Sequence, residues 1–295
     1  MTAPVLPDDA DRLLRTAAGR CEAVAVRSVD REGRPAVWEV LGTDGRRLFA
    51  KRHKNALMHH RETAALTHLA PSLGPGRAPT LLAKDQQALL VVTTALPGTP
   101  VITTPLTEAE QREAYRQAGQ LAAGIHAQPP TDAPVGEQLP WKQERERALA
   151  RARDARLPEA DIEVLAQATR IEPPRFPLAY CHGDFGPRNW LVHREGDALV
   201  VGVIDFERSQ AEAPVRRDLM RAMLQLTPHR PDLREAFLDG YGRALSSAEW
   251  AACRAWAAID CPAALRWALD HHRDEEILGY ARTVLELLRR PAPTL

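Results

Sequence analysis

Three oxygen-bearing side chains constrain this chain more than any other feature. "YCHGDFGPRNWLV" spans 180–192 and "VIDFE" spans 203–207, so Asp184, Asn189 and Asp205 follow one another across a short apolar stretch. Between them "NWLV" and "ALVVGVI" read as strands, and "REGD" is the turn that joins them. An antiparallel hairpin returns its two ends to one edge, so Asn189 entering the first strand and Asp205 leaving the second are expected to converge. A magnesium ion takes one or two hard oxygen donors from a protein and completes its shell with water and phosphates, and this pair is such a half-site. Asp184 lies in the loop before the hairpin, where a carboxylate can accept the proton of a hydroxyl. Gly183 would allow a tight backbone approach and Pro187 would stiffen the turn. His182 is expected to brace the loop rather than to move a proton.

Upstream, strand-like runs at 22–29, 36–41 and 46–52 are separated by the turns "DREG" and "GTDG" and predict an antiparallel meander. A helix is expected over 56–70, stopped by Pro71, followed by a Pro/Gly-rich loop and a strand pair within 79–96. Met58, Glu62, Ala65, Leu66 and Leu69 fall on one face of that helix, which inserts a carboxylate into an inward stripe. A buried charge without a partner costs several kcal/mol by order of magnitude, roughly 3–5 when a pair is broken, and Lys51 on the preceding strand is the candidate cation. A surface lysine and a helix-edge glutamate would give the same spacing. Beyond residue 96 the pattern turns helical, over 107–128, 142–157 and from Asp218 onward. Residues 1–95 are therefore read as a β-rich lobe and 96–295 as a mainly helical lobe carrying the loop, the hairpin and the acceptor side.

The chain holds 39 basic and 39 acidic residues, which lacks the basic excess of a nucleic-acid binder. Its cysteines, Cys21, Cys181, Cys253 and Cys261, form no C-x-x-C pair, so neither a disulfide framework nor zinc is expected. No secretory leader or membrane-length apolar run is visible, no obligate protein partner is indicated, and the cytoplasm is the expected compartment.

"HGDFGPRN" followed by "VIDFE", with Lys51 and Glu62 upstream, resembles the aminoglycoside phosphotransferase and choline kinase-like family, small-molecule relatives of the protein kinases. The resemblance implies a two-lobed, protein-kinase-like α+β fold, with a small antiparallel-sheet N-lobe carrying one main helix and a larger helical C-lobe. It implies Asp184 as catalytic base, Asn189 and Asp205 as ligands of Mg2+, and Lys51 paired with Glu62 to grip the phosphates of ATP or GTP. "LLVVTTALPGTP" resembles the strand and hinge between kinase lobes, where backbone around Thr94 and Leu96 would hold the nucleobase. Two positions depart from the protein-kinase pattern: Gly183 stands where an arginine follows the catalytic-loop His, and Glu207 replaces the glycine of D-F-G. No G-x-G-x-x-G loop is present, and "DREGRPAVWEV" offers only Gly33.

The expected activity is ATP- or GTP-dependent phosphorylation of a hydroxyl on a small molecule, with an aminoglycoside or another antibiotic as first acceptor. A metabolite kinase of choline, sugar or amino-alcohol type is the alternative, as is a catalytically silent nucleotide-binding module, although that would be expected to lose the base or a ligand. Aminoglycosides are polycations, yet 208–295 holds twelve acidic against thirteen basic residues and shows no bulk acidity to receive them. The run "DHHRDEE" over 270–276 is expected to be a solvated helix surface, and Trp250, Trp256 and Trp267 to be core. Asp218 is expected to cap a helix and His126 to pack.

Overall fold

Before the first strand comes a helix, α1 (Asp8–Ala18), where the sequence reading expected strands at once. Its signals were present: aspartates in the first turn, Arg15 in the last, Gly19 beyond the end, and Ala10 and Leu14 buried four residues apart. In the computed structural model residues 5–28, 35–130, 133–136, 139–226, 229–270 and 275–290 are described. Gly33 and residues 271–274 of the acidic run lie outside them.

A five-stranded antiparallel sheet follows, built from β1 (Cys21–Ser28), β2 (Ala36–Gly42), β3 (Arg47–Arg52), β4 (Leu81–Asp85) and β5 (Leu90–Thr94), in the order β1-β2-β3-β5-β4. Alternation along the strands sends Trp38, Val40, Leu48, Ala50, Leu90 and Val92 to one face, where they pack on α1 around Leu14. Arg52 shares that face and pairs with Asp9 of α1, which turns Lys51 and its even-spaced neighbour His53 to the other. Between β3 and β4 runs α2 (Ala56–Ala64), its first turn capped by the Asn55 side chain on the Met58 amide at 2.9 Å. The helix does not stop at Pro71: it widens into a π-helical turn over Ala65–Leu69 and tightens into a 3-10 turn over Ala70–Leu73. The widened turn sends Leu66 and Leu69 into the larger core while Glu62 stays over the sheet.

The expected boundary after residue 95 falls in the connection from β5 to β6 (Thr99–Pro100). Gly98 in that connection has φ +108°, and a Cβ there would lie 2.4 Å from the Val192 carbonyl oxygen. The larger lobe opens with α3 (Glu108–His126), started by a capping box between Thr107 and Glu110. It continues through α4 (Trp141–Asp154) and α5 (Glu159–Ala168) to a short strand, β7 (Ala179–Cys181). The expected hairpin is β8 (Trp190–Glu195) with β9 (Ala198–Val203), and β6 pairs on the free edge of β8. A further strand, β10 (Gln210–Glu212), returns antiparallel to β7. Helices α6 (Asp218–Arg221), α7 (Pro231–Tyr241), α8 (Ser247–Asp270) and α9 (Glu275–Arg289) close the chain, and Trp250 is buried in their core. Among the described residues no helix is long and apolar enough to cross a membrane.

Gly98→Ala should cost about 2–4 kcal/mol, because it adds both a positive-φ penalty and a clash with the β8 backbone. The midpoint of urea denaturation measures it, and an unchanged midpoint would show that the connection is not pinned to the hairpin.

Candidate active site

Three elements meet at one ammonium. Lys51 Nζ on β3 lies 2.9 Å from Glu62 Oε2 of α2, 2.6 Å from Asp205 Oδ1 and 3.0 Å from Glu207 Oε2 just past β9. Burial works against the charged lysine, but Asp205, Glu62 and Glu207 outweigh it and hold its pKa well above the ordinary value. The expected pairing of Lys51 with Glu62 is thus present, with two more carboxylates on the same nitrogen.

His53 was not singled out in the sequence, although period-two spacing from Lys51 puts it on the same face. Its side chain is wholly buried between the same two glutamates, with Nε2 2.9 Å from Glu62 Oε2 and Nδ1 3.6 Å from Glu207 Oε2. Both glutamates thus lie against the imidazole ring. Burial alone would lower the histidine pKa, but Glu207 and Glu62 outweigh it and raise it above 6.5. Each glutamate therefore bridges two cations, and Glu207, read in the sequence only as a departure from D-F-G, anchors the lysine.

The loop from His182 to Asn189 is fixed from behind. Asp218 Oδ2 accepts the His182 amide at 2.7 Å and its Oδ1 the Gly183 amide at 2.9 Å. This corrects the expected role: Asp218 is the first residue of α6, makes no cap for it, and instead holds the loop backbone. His126 supports it from α3, with Nε2 3.2 Å from Asp218 Oδ2 and Nδ1 3.0 Å from the Tyr241 hydroxyl. That is a hydrogen-bonding role where packing was expected. His182 braces the loop as expected, for its Nδ1 accepts the Asp184 amide at 3.2 Å and its Nε2 donates to the Ile204 carbonyl at 3.0 Å. At Gly183, φ is +79° and a Cβ would stand 2.2 Å from the Arg208 carbonyl oxygen, so no larger side chain fits.

Asp184 is buried and bonded by three side chains. Arg188 Nη2 donates to both carboxylate oxygens at 2.8 Å, Arg221 Nη1 donates to Oδ1, and Asn189 Nδ2 approaches Oδ2 at 3.4 Å. Burial opposes ionisation, yet Arg221, Arg188 and Arg208 outweigh it and hold the carboxyl well below the usual carboxylate range. Neither Arg188 nor Arg221 was flagged in the sequence, where an arginine in a charged loop or helix carries no signal of its partner.

Trp190 pairs with Val203, and the Ile204 amide donates to the Asn189 carbonyl at 3.0 Å, so Asn189 and Asp205 leave the hairpin side by side. Asn189 Nδ2 donates to the Asp184 carbonyl at 2.9 Å, which commits the nitrogen and leaves the amide oxygen as the atom that could meet a metal. Asp205 sits in the left-handed region at φ +69°, a conformation costing about 1 kcal/mol or more for a residue with a side chain. Burial raises its pKa, Lys51 lowers it, and Glu207 and Glu62 raise it further, leaving it above the ordinary value. Three carboxylates here face Lys51 and His53. An amide oxygen, a carboxylate and a surplus of negative charge fit a hard divalent cation.

At the hinge, Thr94 and Ala95 amides are already used, donating to Thr80 and Arg47 carbonyls, each at 3.0 Å. A nucleobase contact at Thr94 would therefore have to use its carbonyl oxygen. Leu96 packs over Gly202 of β9, where its Cδ2 would be 2.5 Å from an added Cβ.

The sequence profile described as "Phosphotransferase enzyme family" matches residues 26–256. The chain belongs to that family. An aminoglycoside 3'-phosphotransferase from Streptomyces fradiae is 30% identical over 178 residues, which cover 54% of this chain and 63% of that protein. The match thus spans less than two thirds of this curated relative. The fold is shared with a macrolide 2'-phosphotransferase from Brachybacterium faecium at TM-score 0.64 and 18% identity, over 98% of this chain and 100% of that one. It is shared also with a spectinomycin phosphotransferase solved with ADP and spectinomycin, at TM-score 0.63 and 14% identity, over 97% and 98% of the two chains. The two-lobed kinase-like architecture of the family is therefore that of this chain.

His53, with its raised pKa, stabilises the fold while protonated, so its contribution is complete below 6.5 and is lost as pH climbs through the folded value. The melting-temperature gap between the wild type and His53→Gln should be widest at mildly acidic pH and narrow as the solution is made alkaline. A gap independent of pH would mean that the ring is neutral throughout. Gly183→Ala should cost about 3 kcal/mol or more through the clash with Arg208, read from thermal unfolding.

Proposed function

We propose that the chain is a nucleotide-dependent O-phosphotransferase that moves the terminal phosphoryl of ATP or GTP to a hydroxyl of a small molecule. The observation that carries this reading is the single ammonium of Lys51 bound to Glu62 at 2.9 Å and to Asp205 at 2.6 Å, with the residue before Asp205, Ile204, bonded to the loop that presents Asp184. A sheet, a helix and a hairpin end have little structural reason to share one charge unless something anionic is to be held there. Antibiotics are the first acceptor class to consider, since the relatives are named for aminoglycosides, macrolides and spectinomycin.

In this reading Lys51, kept charged and oriented by Glu62, turns donors to the nucleotide phosphates. Leu96 backbone meets the nucleobase. Asn189 and Asp205 would hold Mg2+, whose bound charge offsets the phosphate oxygens. Asp184 accepts the acceptor hydroxyl's proton as that oxygen bonds to the terminal phosphorus and the bridging P–O bond breaks, releasing the nucleoside diphosphate. Because Asp184 is held far below neutrality, it takes the proton late and chiefly orients the hydroxyl, while Arg221 keeps the carboxylate ionised and in place.

Asp184→Asn should lower kcat by about 10²–10⁴-fold in an assay of phosphorylated product by mass over a panel of antibiotics and hydroxylated metabolites. It should also lower the melting temperature, because Arg221 loses its counter-charge, so circular dichroism is needed beside the kinetics. Near wild-type turnover in a folded variant would remove Asp184 as the base. Lys51→Ala should raise the nucleotide KM about tenfold or more, and unchanged nucleotide affinity would count against the grip assigned to that lysine.

A further inference from the structure

Of the three side chains bonded to Asp184, one faces solvent. Arg221 has 18% of its side chain exposed and Asn189 is buried, whereas Arg188 keeps 47% exposed. Arg188 spends only Nη2 on Asp184, out of five guanidinium N–H donors. Arg208, itself exposed, adds a third positive charge acting on the same carboxylate. Arg221 is shared with Asp260 from α8 and stays in the interior. Arg188 is therefore the partner of Asp184 that a molecule arriving from solvent reaches most readily.

This arrangement bears on what the acceptor is. A compound carrying several ammonium groups would set them against Arg188, Arg208 and Arg221 around one carboxylate that is already compensated. A compound carrying a carboxylate or phosphate would meet a planar fork suited to it. No acidic excess among residues 208–295 reverses that balance. We propose that the acceptor carries an anionic group near its reacting hydroxyl and that Arg188 binds this group while still touching Asp184, which makes it the residue that sets acceptor charge. The inference rests on the phosphotransferase reading and narrows its acceptor, with polycationic aminoglycosides the disfavoured class.

The test uses the full chain with magnesium and ATP or GTP, and size-matched hydroxyl compounds of three charges: sugar acids such as gluconate and galacturonate, neutral sugars, and amino sugars with kanamycin. Product is followed by mass and compared with nucleotide hydrolysis by water. The wild type should favour the acids by about tenfold or more in kcat/KM. That preference should vanish in Arg188→Gln, return in part in Arg188→Lys and invert in Arg188→Glu. A general loss of structure would depress all three charge classes alike. The inference is overturned if the polycations are the better acceptors, if no acid is phosphorylated above the water background, or if the preference survives Arg188→Gln. Absence of both nucleotide binding and hydrolysis in the wild type would instead bring down the phosphotransferase reading itself.

Discussion

Charge balance around Lys51 organises the cleft. An ammonium in a nearly dry setting stays charged only if carboxylates surround it, and here they come from α2 and from the segment after β9. The sheet, the helix and the hairpin are thereby tied at one atom, although the sheet packs in the smaller hydrophobic core and the other two in the larger. His53 extends the arrangement, since it lets Glu62 and Glu207 each neutralise two cations without adding a fourth acid. What remains is a small excess of negative charge at Asp205, on the open side of the cleft.

The second group of charges has the opposite sign. Around Asp184 the positive side chains outnumber the acids, so the two halves of the cleft differ in polarity across the length of one loop. The loop can bear this because its backbone is held elsewhere: Asp218, supported by His126, takes two consecutive amides, and His182 ties the turn to the strand end at Ile204. Asp218 thus holds the loop backbone from behind, while Asp184 is the carboxylate that the loop presents.

Much of this was legible in the residues. Hairpin β8–β9 followed from alternation and the "REGD" turn, and the approach of Asn189 to Asp205 followed from the hairpin. Glu62 betrayed itself as an acid in an apolar stripe. Other features left no such trace. Strands β6, β7 and β10 are too short for a period to show, and α1 opens behind Pro7 with a charged turn and buries only Ala10 and Leu14, so its apolar stripe is short. Arg188 and Arg221 look like any surface arginines until the fold brings Asp184 between them. Asp218 sits where a helix begins, so local rules suggested a cap, whereas its partners lie more than thirty residues back along the chain.

Strand β10, which follows "VIDFE", is paired residue for residue with β7, immediately ahead of the catalytic loop: Gln210 with Cys181, Ala211 with Tyr180, Glu212 with Ala179. In protein kinases the corresponding stretch is the movable element that phosphorylation orders. Here it is stitched into a ribbon with buried residues on both sides, and no added phosphate is needed to set it. The register between the segment after Asp205 and the loop that carries Asp184 is therefore set by main-chain bonds of the chain itself.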